Sequence, residues 1–159
     1  MKKLNASILA NLLFGAMTSM AQACPDPAVV SLKINKALQQ PDGHWQLDVT
    51  GVIRNEGRTD FISASELQNI SLSISRYGPR GVVNSILLKE KISGQGEMSR
   101  LPAGASQTVS YQGTLNILKG ENARPRLKLA INYDPVVYND SSTANDDCQS
   151  DNNEHSGKL

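Results

Sequence analysis

From Val30 to Tyr133 the chain alternates apolar and polar residues in short runs, broken by Gly, Pro, Asn and Asp. Val30, Leu32 and Ile34 alternate with Ser31, Lys33 and Asn35. Trp45, Leu47, Val49, Gly51 and Ile53 alternate with Gln46, Asp48, Thr50 and Arg54. A period of two puts each apolar set on one face of a strand. A helix would scatter Trp45, Leu47 and Val49 around its circumference. The same pattern returns at Ile70, Leu72 and Ile74, at Val109, Tyr111, Gly113 and Leu115, and at Leu127, Leu129, Ile131 and Tyr133. Val82 to Ile92 alternates poorly: Ile86, Leu87 and Leu88 are consecutive, and Glu90 shares the face of Ile86, Leu88 and Ile92. That mixture predicts an edge strand, where charge discourages pairing with other chains.

Turn signals separate the runs: Pro41-Asp42-Gly43, Asn55-Glu56-Gly57, Tyr77 to Gly81, Leu101 to Ala105, and Asp134-Pro135. Gly57 and Gly104 fit positions that need positive φ. Asn55 can bond nearby backbone at a strand end. A helical turn is expected near Ser65, capped by Ser63 or Ser65. One-sided alternation in every central run means antiparallel sheets packed face to face. The fold class is therefore all-β, an immunoglobulin-like antiparallel β-sandwich of about seven strands.

Composition changes after Asp134. Asn139 to Leu159 is mostly Asp, Asn, Ser and Thr, with Asp140, Asp146, Asp147, Asp151 and Glu154 against Lys158. It offers almost nothing to bury, which predicts an extended or disordered acidic tail. The start of the chain has another character. Met1-Lys2-Lys3, an apolar run from Ala6 to Met20, and Ala21-Gln22-Ala23 read as a signal peptide over residues 1–23. The expected organisation is that leader, a sandwich domain over 24–138, and a tail over 139–159 held through Cys148.

Cys24 and Cys148 are the two cysteines. In an exported chain an even pair suggests one disulfide formed in an oxidising compartment, periplasmic or secreted, by Gram-negative type export. A competing reading makes Cys24 the lipid-bearing residue of a lipoprotein. Ala21 and Ala23 suit ordinary signal peptidase better, and lipidation would leave Cys148 unpaired. The leader is too short and too interrupted to span a bilayer, and no later stretch approaches a membrane span. A formal charge of +1 over 159 residues offers no basic stripe for nucleic acid.

The chemistry-bearing residues are sparse. The two histidines, His44 at a turn and His155 in the tail, are not placed to serve a nucleophile. Asp48, Glu56, Asp60, Glu66, Glu90 and Glu97 qualify for glycoside hydrolysis by residue type only. No catalytic residue and no cofactor is assigned. Asp140, Asp146, Asp147 and Asp151, with Asn145 and Asn152, are oxygen ligands suited to Ca²⁺, but the Gly and final Glu of a Ca²⁺ loop are missing. Trp45 reads as core or as a sugar-stacking platform. Arg76, Arg80 and Arg100 near loops could form a partner-facing patch. The Val82–Ile92 edge is the better contact candidate, since an unpaired edge accepts a partner's strand.

Several segments, in order, resemble the cell-adhesion-related domain family (CARDB) of bacteria and archaea. Cys24-Pro25-Asp26-Pro27-Ala28-Val29-Val30 is similar to its opening Pro-Asp-Leu-x-Val strand. Val52-Ile53-Arg54-Asn55-Glu56-Gly57 is similar to its strand ending in Asn-x-Gly. Leu101 to Val109 resembles its Leu-x-x-Gly-x-Ser-x-x-Val stretch. Leu129-Ala130-Ile131-Asn132-Tyr133-Asp134, with Asn139 and Asp151-Asn152-Asn153, resembles its closing strand with a later Asn-Asn. The resemblance implies an immunoglobulin-like sandwich that binds without catalysis. The segment between Val137 and Asp151, with its cysteine, is longer than the family's usual closing turn. The expected function is an exported, non-catalytic module that contacts an envelope or surface protein. A carbohydrate-binding module is the alternative, and a small periplasmic hydrolase is the third reading.

Overall fold

The computed structural model describes residues 23–64, 67–78, 81–89, 98–116, 126–133 and 141–159. All but the last residue of the expected signal peptide, together with Arg80, Glu66, Glu90, Glu97 and Asp140, lie outside the described residues. Among the described residues nine strands follow in chain order: β1 Pro27–Gln39, β2 His44–Asn55, β3 Phe61–Ile62, β4 Gln68–Gly78, β5 Gly81–Lys89, β6 Arg100–Leu101, β7 Ser106–Asn116, β8 Arg126–Tyr133 and β9 Glu154–Lys158. They form a three-stranded sheet β1-β2-β7, a four-stranded sheet β5-β4-β8-β9 and a two-stranded ribbon β3-β6, every pairing antiparallel.

The alternation in β2 survives intact. Leu47, Val49, Gly51, Ile53 and Asn55 are buried, while Gln46 and Arg54 are exposed. Opposite them on β7, Val109 pairs with Gly51, Tyr111 with Val49 and Leu115 with Trp45, on the same inward face. The facing sheet contributes Ile70, Leu72 and Ile74 from β4 and Leu129 and Ile131 from β8. One apolar cluster joins both sheets, which makes the molecule a two-layer β-sandwich. At Gly51 the layers approach closely. A Cβ built there would lie 2.0 Å from Leu129 Cδ2, so glycine leaves the space that Leu129 fills. Phe61 and Met98, absent from any alternating run, complete the core from the ribbon region.

Four expectations change. Val30 was expected on the core face, but it is 39% exposed and Val29 is buried instead. A register shift between Val29 and Ser31 inserts one residue, moving the inward set to Val29, Leu32 and Ile34. Leu101 to Ala105 was expected as loop only; Arg100–Leu101 pairs with Phe61–Ile62 before that loop turns. Gly104 has φ +76° as expected, but Gly57 is not among the positive-φ glycines. Gly57 is required for a close approach instead: a Cβ there would meet Cys24 O at 2.3 Å and Asp26 N at 2.6 Å.

The fourth change is in the acidic tail. Residues 154–158 form β9 and pair with β8 along the edge of the larger sheet. Their side chains show no apolar alternation because the strand joins through its backbone, and Gly157 lies against Leu32 and Ile34 of β1. Leu159 packs on the core behind it. Of the expected helical turn near Ser65, the described part is a Leu67 N–H bonding Ala64 O at 3.0 Å. Strand β5 stands at an edge of its sheet, as its mixed sequence predicts.

Candidate functional site

Three features of the surface have the geometry of sites: the corner at the disulfide, the polar outer face of β1-β2-β7, and the sheet edges. The corner is built around Asn55, the last residue of β2, whose side chain is fully buried. Its Oδ1 accepts from Asp26 N at 2.9 Å and Gly57 N at 3.0 Å. Its Nδ2 donates to Thr59 O at 2.8 Å and Leu101 O at 2.9 Å. All four capacities of the amide are used, which a buried amide requires. Backbone bonds from Glu56 N to Asp26 O and from Arg58 N to Cys24 O hold the segment before β1 against this turn.

Across that segment lies the chain before β9. Cys24 and Cys148 form a disulfide, with Cα atoms 5.9 Å apart. Cys148 N donates to Pro25 O at 3.0 Å, and Ile62 N to Ala144 O at 2.9 Å. Asn152 Nδ2 donates to Asp26 Oδ1 at 2.9 Å, and Asn153 Nδ2 to Asp147 Oδ2 at 2.7 Å. Asp147 also accepts from Gln149 N at 3.0 Å. Burial pushes the Asp147 carboxyl above its ordinary range, and the neighbouring Asp26 carboxylate adds to the rise. A raised carboxyl stabilises the fold below its ordinary titration range, and that contribution is lost as pH rises through the raised value. A cleft of about 370 Å³ opens here between Cys24, Asp146, Asp147 and Cys148.

The outer face of β1-β2-β7 is mostly polar, although Val30 and Leu38 of β1 are exposed as well. Asn35 Nδ2 bonds Asp48 at 3.0 Å, Gln112 Nε2 bonds Asp48 at 3.1 Å, and Lys36 Nζ bonds Gln46 at 2.7 Å. At the β1–β2 hairpin, Gln40, Asp42, His44, Gln46 and Thr114 line a shallow depression of about 540 Å³. His44 Nδ1 pairs with Asp42 at 2.7 Å. Asp42 lies below its ordinary range, first because the His44 backbone N–H bonds it and then because the His44 ring does.

The residues singled out from sequence fall in different places. Trp45 is half-buried on the core side of β2, opposite to the face that carries the hairpin depression. Arg100 is exposed and pairs with Asp60 at 3.2 Å. Asp60 is held below the usual carboxylate range by the Ala103 N–H and then by Arg100, so both residues brace a loop. Arg76 belongs to β4 of the other sheet. Asp146 and Asp147 meet at the cleft, whereas Asp151 is exposed on the 3-10 turn Ser150–Asn152. His155 is exposed on β9. Among the described residues, no serine, threonine or cysteine bonds either histidine, and no three acids, histidines or cysteines converge as a metal centre. No described helix is long and apolar enough to cross a membrane.

Sequence reasoning did not assemble the corner. Asp26 and Asn153 carry no chemical signal individually, and Asn152 was singled out only by residue type, as an oxygen ligand. What marked them together was the set Pro25-Asp26, Asn55-x-Gly57 and Asn152-Asn153, whose members meet here. Fold and corner together define a disulfide-closed, antiparallel β-sandwich. Comparisons with family models, curated proteins and solved structures gave no match.

Proposed function

We propose that this chain is an exported, non-catalytic binding module that contacts an envelope or surface protein by strand addition to the outer edge of β5. The observation that carries the proposal is the position of β5: a nine-residue strand pairing with β4 on one side and with no other described strand. An edge of that length presents a row of backbone donors and acceptors to a partner's strand. The opposite edge of the same sheet is taken by β9, which packs beside β1.

Strand order supports an immunoglobulin-like reading. Sheets β1-β2-β7 and β5-β4-β8-β9 match an A-B-E layer facing a C′-C-F-G layer, with β3 and β6 as connections. The gathering of the family-like residues around Asn55 supports kinship with the cell-adhesion-related domains. The disulfide fits export to an oxidising compartment. Protein contact is favoured over sugar stacking because Trp45 packs against the core.

Photo-crosslinking residues placed singly at Val83 and Ser85 on β5, and at Thr108 and Gln112 on β7, test the proposal in cells exporting the chain. A discrete protein adduct from the β5 positions alone is expected. Adducts of equal yield from both strands, or from β7 alone, would contradict it.

A further inference from the structure

β9 is fastened to the sandwich differently from the strands around it. It pairs with β8 through its backbone, from Glu154 opposite Ala130 to Lys158 opposite Arg126. Four of its five residues are exposed, and Gly157 offers Leu32 and Ile34 no side chain. Leu159, just beyond the strand, is the apolar residue it sets on the core. Strands β2, β4, β7 and β8 are held by buried aliphatic side chains. β9 has little of that fastening, so it belongs to the part of a fold that opens first.

The corner before β9 also gains from opening. Among the described residues no donor reaches Asp146 Oδ1, Asn152 Oδ1 or Asn153 Oδ1. Buried acceptors without donors are costly. The neighbouring carboxyls of Asp26 and Asp147 oppose each other when ionised. Water entering the corner would meet the three acceptors and separate the two acids. It would also serve the groups now joined by the Asn152–Asp26 and Cys148–Pro25 bonds. The closed corner therefore needs a bond that water cannot replace, and the Cys24–Cys148 disulfide is one. With it, β9 follows an anchored Cys148. Without it, the strand preceding β9 is β8, which ends at Tyr133, and a longer loop costs more entropy to close. Both cysteines line the solvent-open cleft beside Asp146 and Asp147, and Cys148 is exposed. Its sulfur is within reach of an attacking thiolate.

We propose that the disulfide is a redox latch on the edge of β8, opened by a dithiol reductant. One thiolate of the reductant attacks Cys148 Sγ, the Sγ–Sγ bond breaks, and Cys24 leaves as a thiolate that takes up a proton. The second reductant thiolate then attacks the mixed disulfide and releases Cys148. The reductant ends as a disulfide and the protein as two thiols. In the opened form the segment from Ser141 to Leu159 leaves as a unit while the two layers stay folded. β8 then becomes a second edge that accepts a partner's strand. Reoxidation returns β9 and closes that edge. The latch acts at β8, so it does not rest on strand addition at β5.

Amide hydrogen exchange read by NMR, before and after treatment with dithiothreitol, tests the proposal, with intact mass after thiol alkylation confirming reduction. In the reduced protein residues 154–158, and Ile131, whose N–H bonds Asn153 O, should exchange within about tenfold of free-peptide rates. Amides of β2 and β4 should stay at least about a hundredfold slower than free peptide. A double variant, Cys24→Ser with Cys148→Ser, should show the same pattern without reductant, which separates loss of the bond from any effect of the reagent. Protection of residues 154–158 that survives reduction, or loss of protection in β2 and β4 together with β9, would overturn the proposal.

Discussion

Asn55 shows how one side chain can organise a corner of this molecule. Its amide satisfies four backbone groups from three segments: Asp26, the turn at Gly57 and Thr59, and Leu101. Truncation would leave those groups buried without partners, each costing roughly 1–3 kcal/mol. Asn55→Ala should therefore destabilise the protein by about 3 kcal/mol or more in urea denaturation. Asn35→Ala, which removes an exposed amide bonded to Asp48 and Thr50, should change stability by less than about 0.5 kcal/mol. Similar effects from the two would mean that the Asn55 network is replaceable by water. Asp147 belongs to the same scale but acts in the opposite sense, since its burial beside Asp26 favours the neutral carboxyl.

At the scale of elements, the central strands were legible because one face of each is buried and period two records it directly. In β2 the buried residues Leu47, Val49, Gly51 and Ile53 belong to the row that sequence pattern selects, and Asn55, read as a turn residue, continues it. β1 misleads at Val30 because a bulge adds a residue that hydrophobicity does not mark. β9 was not legible at all. Glu154-His155-Ser156-Gly157-Lys158 has no apolar face, and only the open edge of β8 makes it a strand. The corner failed for a related reason: its residues lie far apart in sequence and become a site only when β1 and β9 are brought together. Packing between the layers can be tested at Gly51. Gly51→Ala should cost about 1–3 kcal/mol by crowding Leu129. Leu129→Ala should cost about 2–5 kcal/mol alone. The double variant should cost less than the sum, because removal of the leucine makes room for the new methyl. Strictly additive costs would show that the two side chains do not meet.

At the scale of the whole molecule, the disulfide has a different meaning from a clamp on a loose tail. It closes a loop of 124 residues between the segment before β1 and the segment before β9. For a loop this long the chain-entropy model assigns about 5 kcal/mol, and native disulfides commonly deliver about 2–4. Backbone bonds from Cys148 to Pro25, from Ile62 to Ala144 and from Ile131 to Asn153 follow the same path, so the C-terminal segment is built into the sandwich at several points. β9 then forms one edge of the larger sheet beside β1, and β5 forms the other, with no further described strand next to it. The asymmetry on which the proposed partner contact rests thus depends on the C-terminal segment being a strand. Native-state hydrogen exchange of the oxidised protein tests this directly. Amides of β9 that bond β8 should exchange far more slowly than an unstructured peptide, with protection approaching that of β8. Exchange of residues 154–158 at free-peptide rates, with β8 still protected, would contradict it.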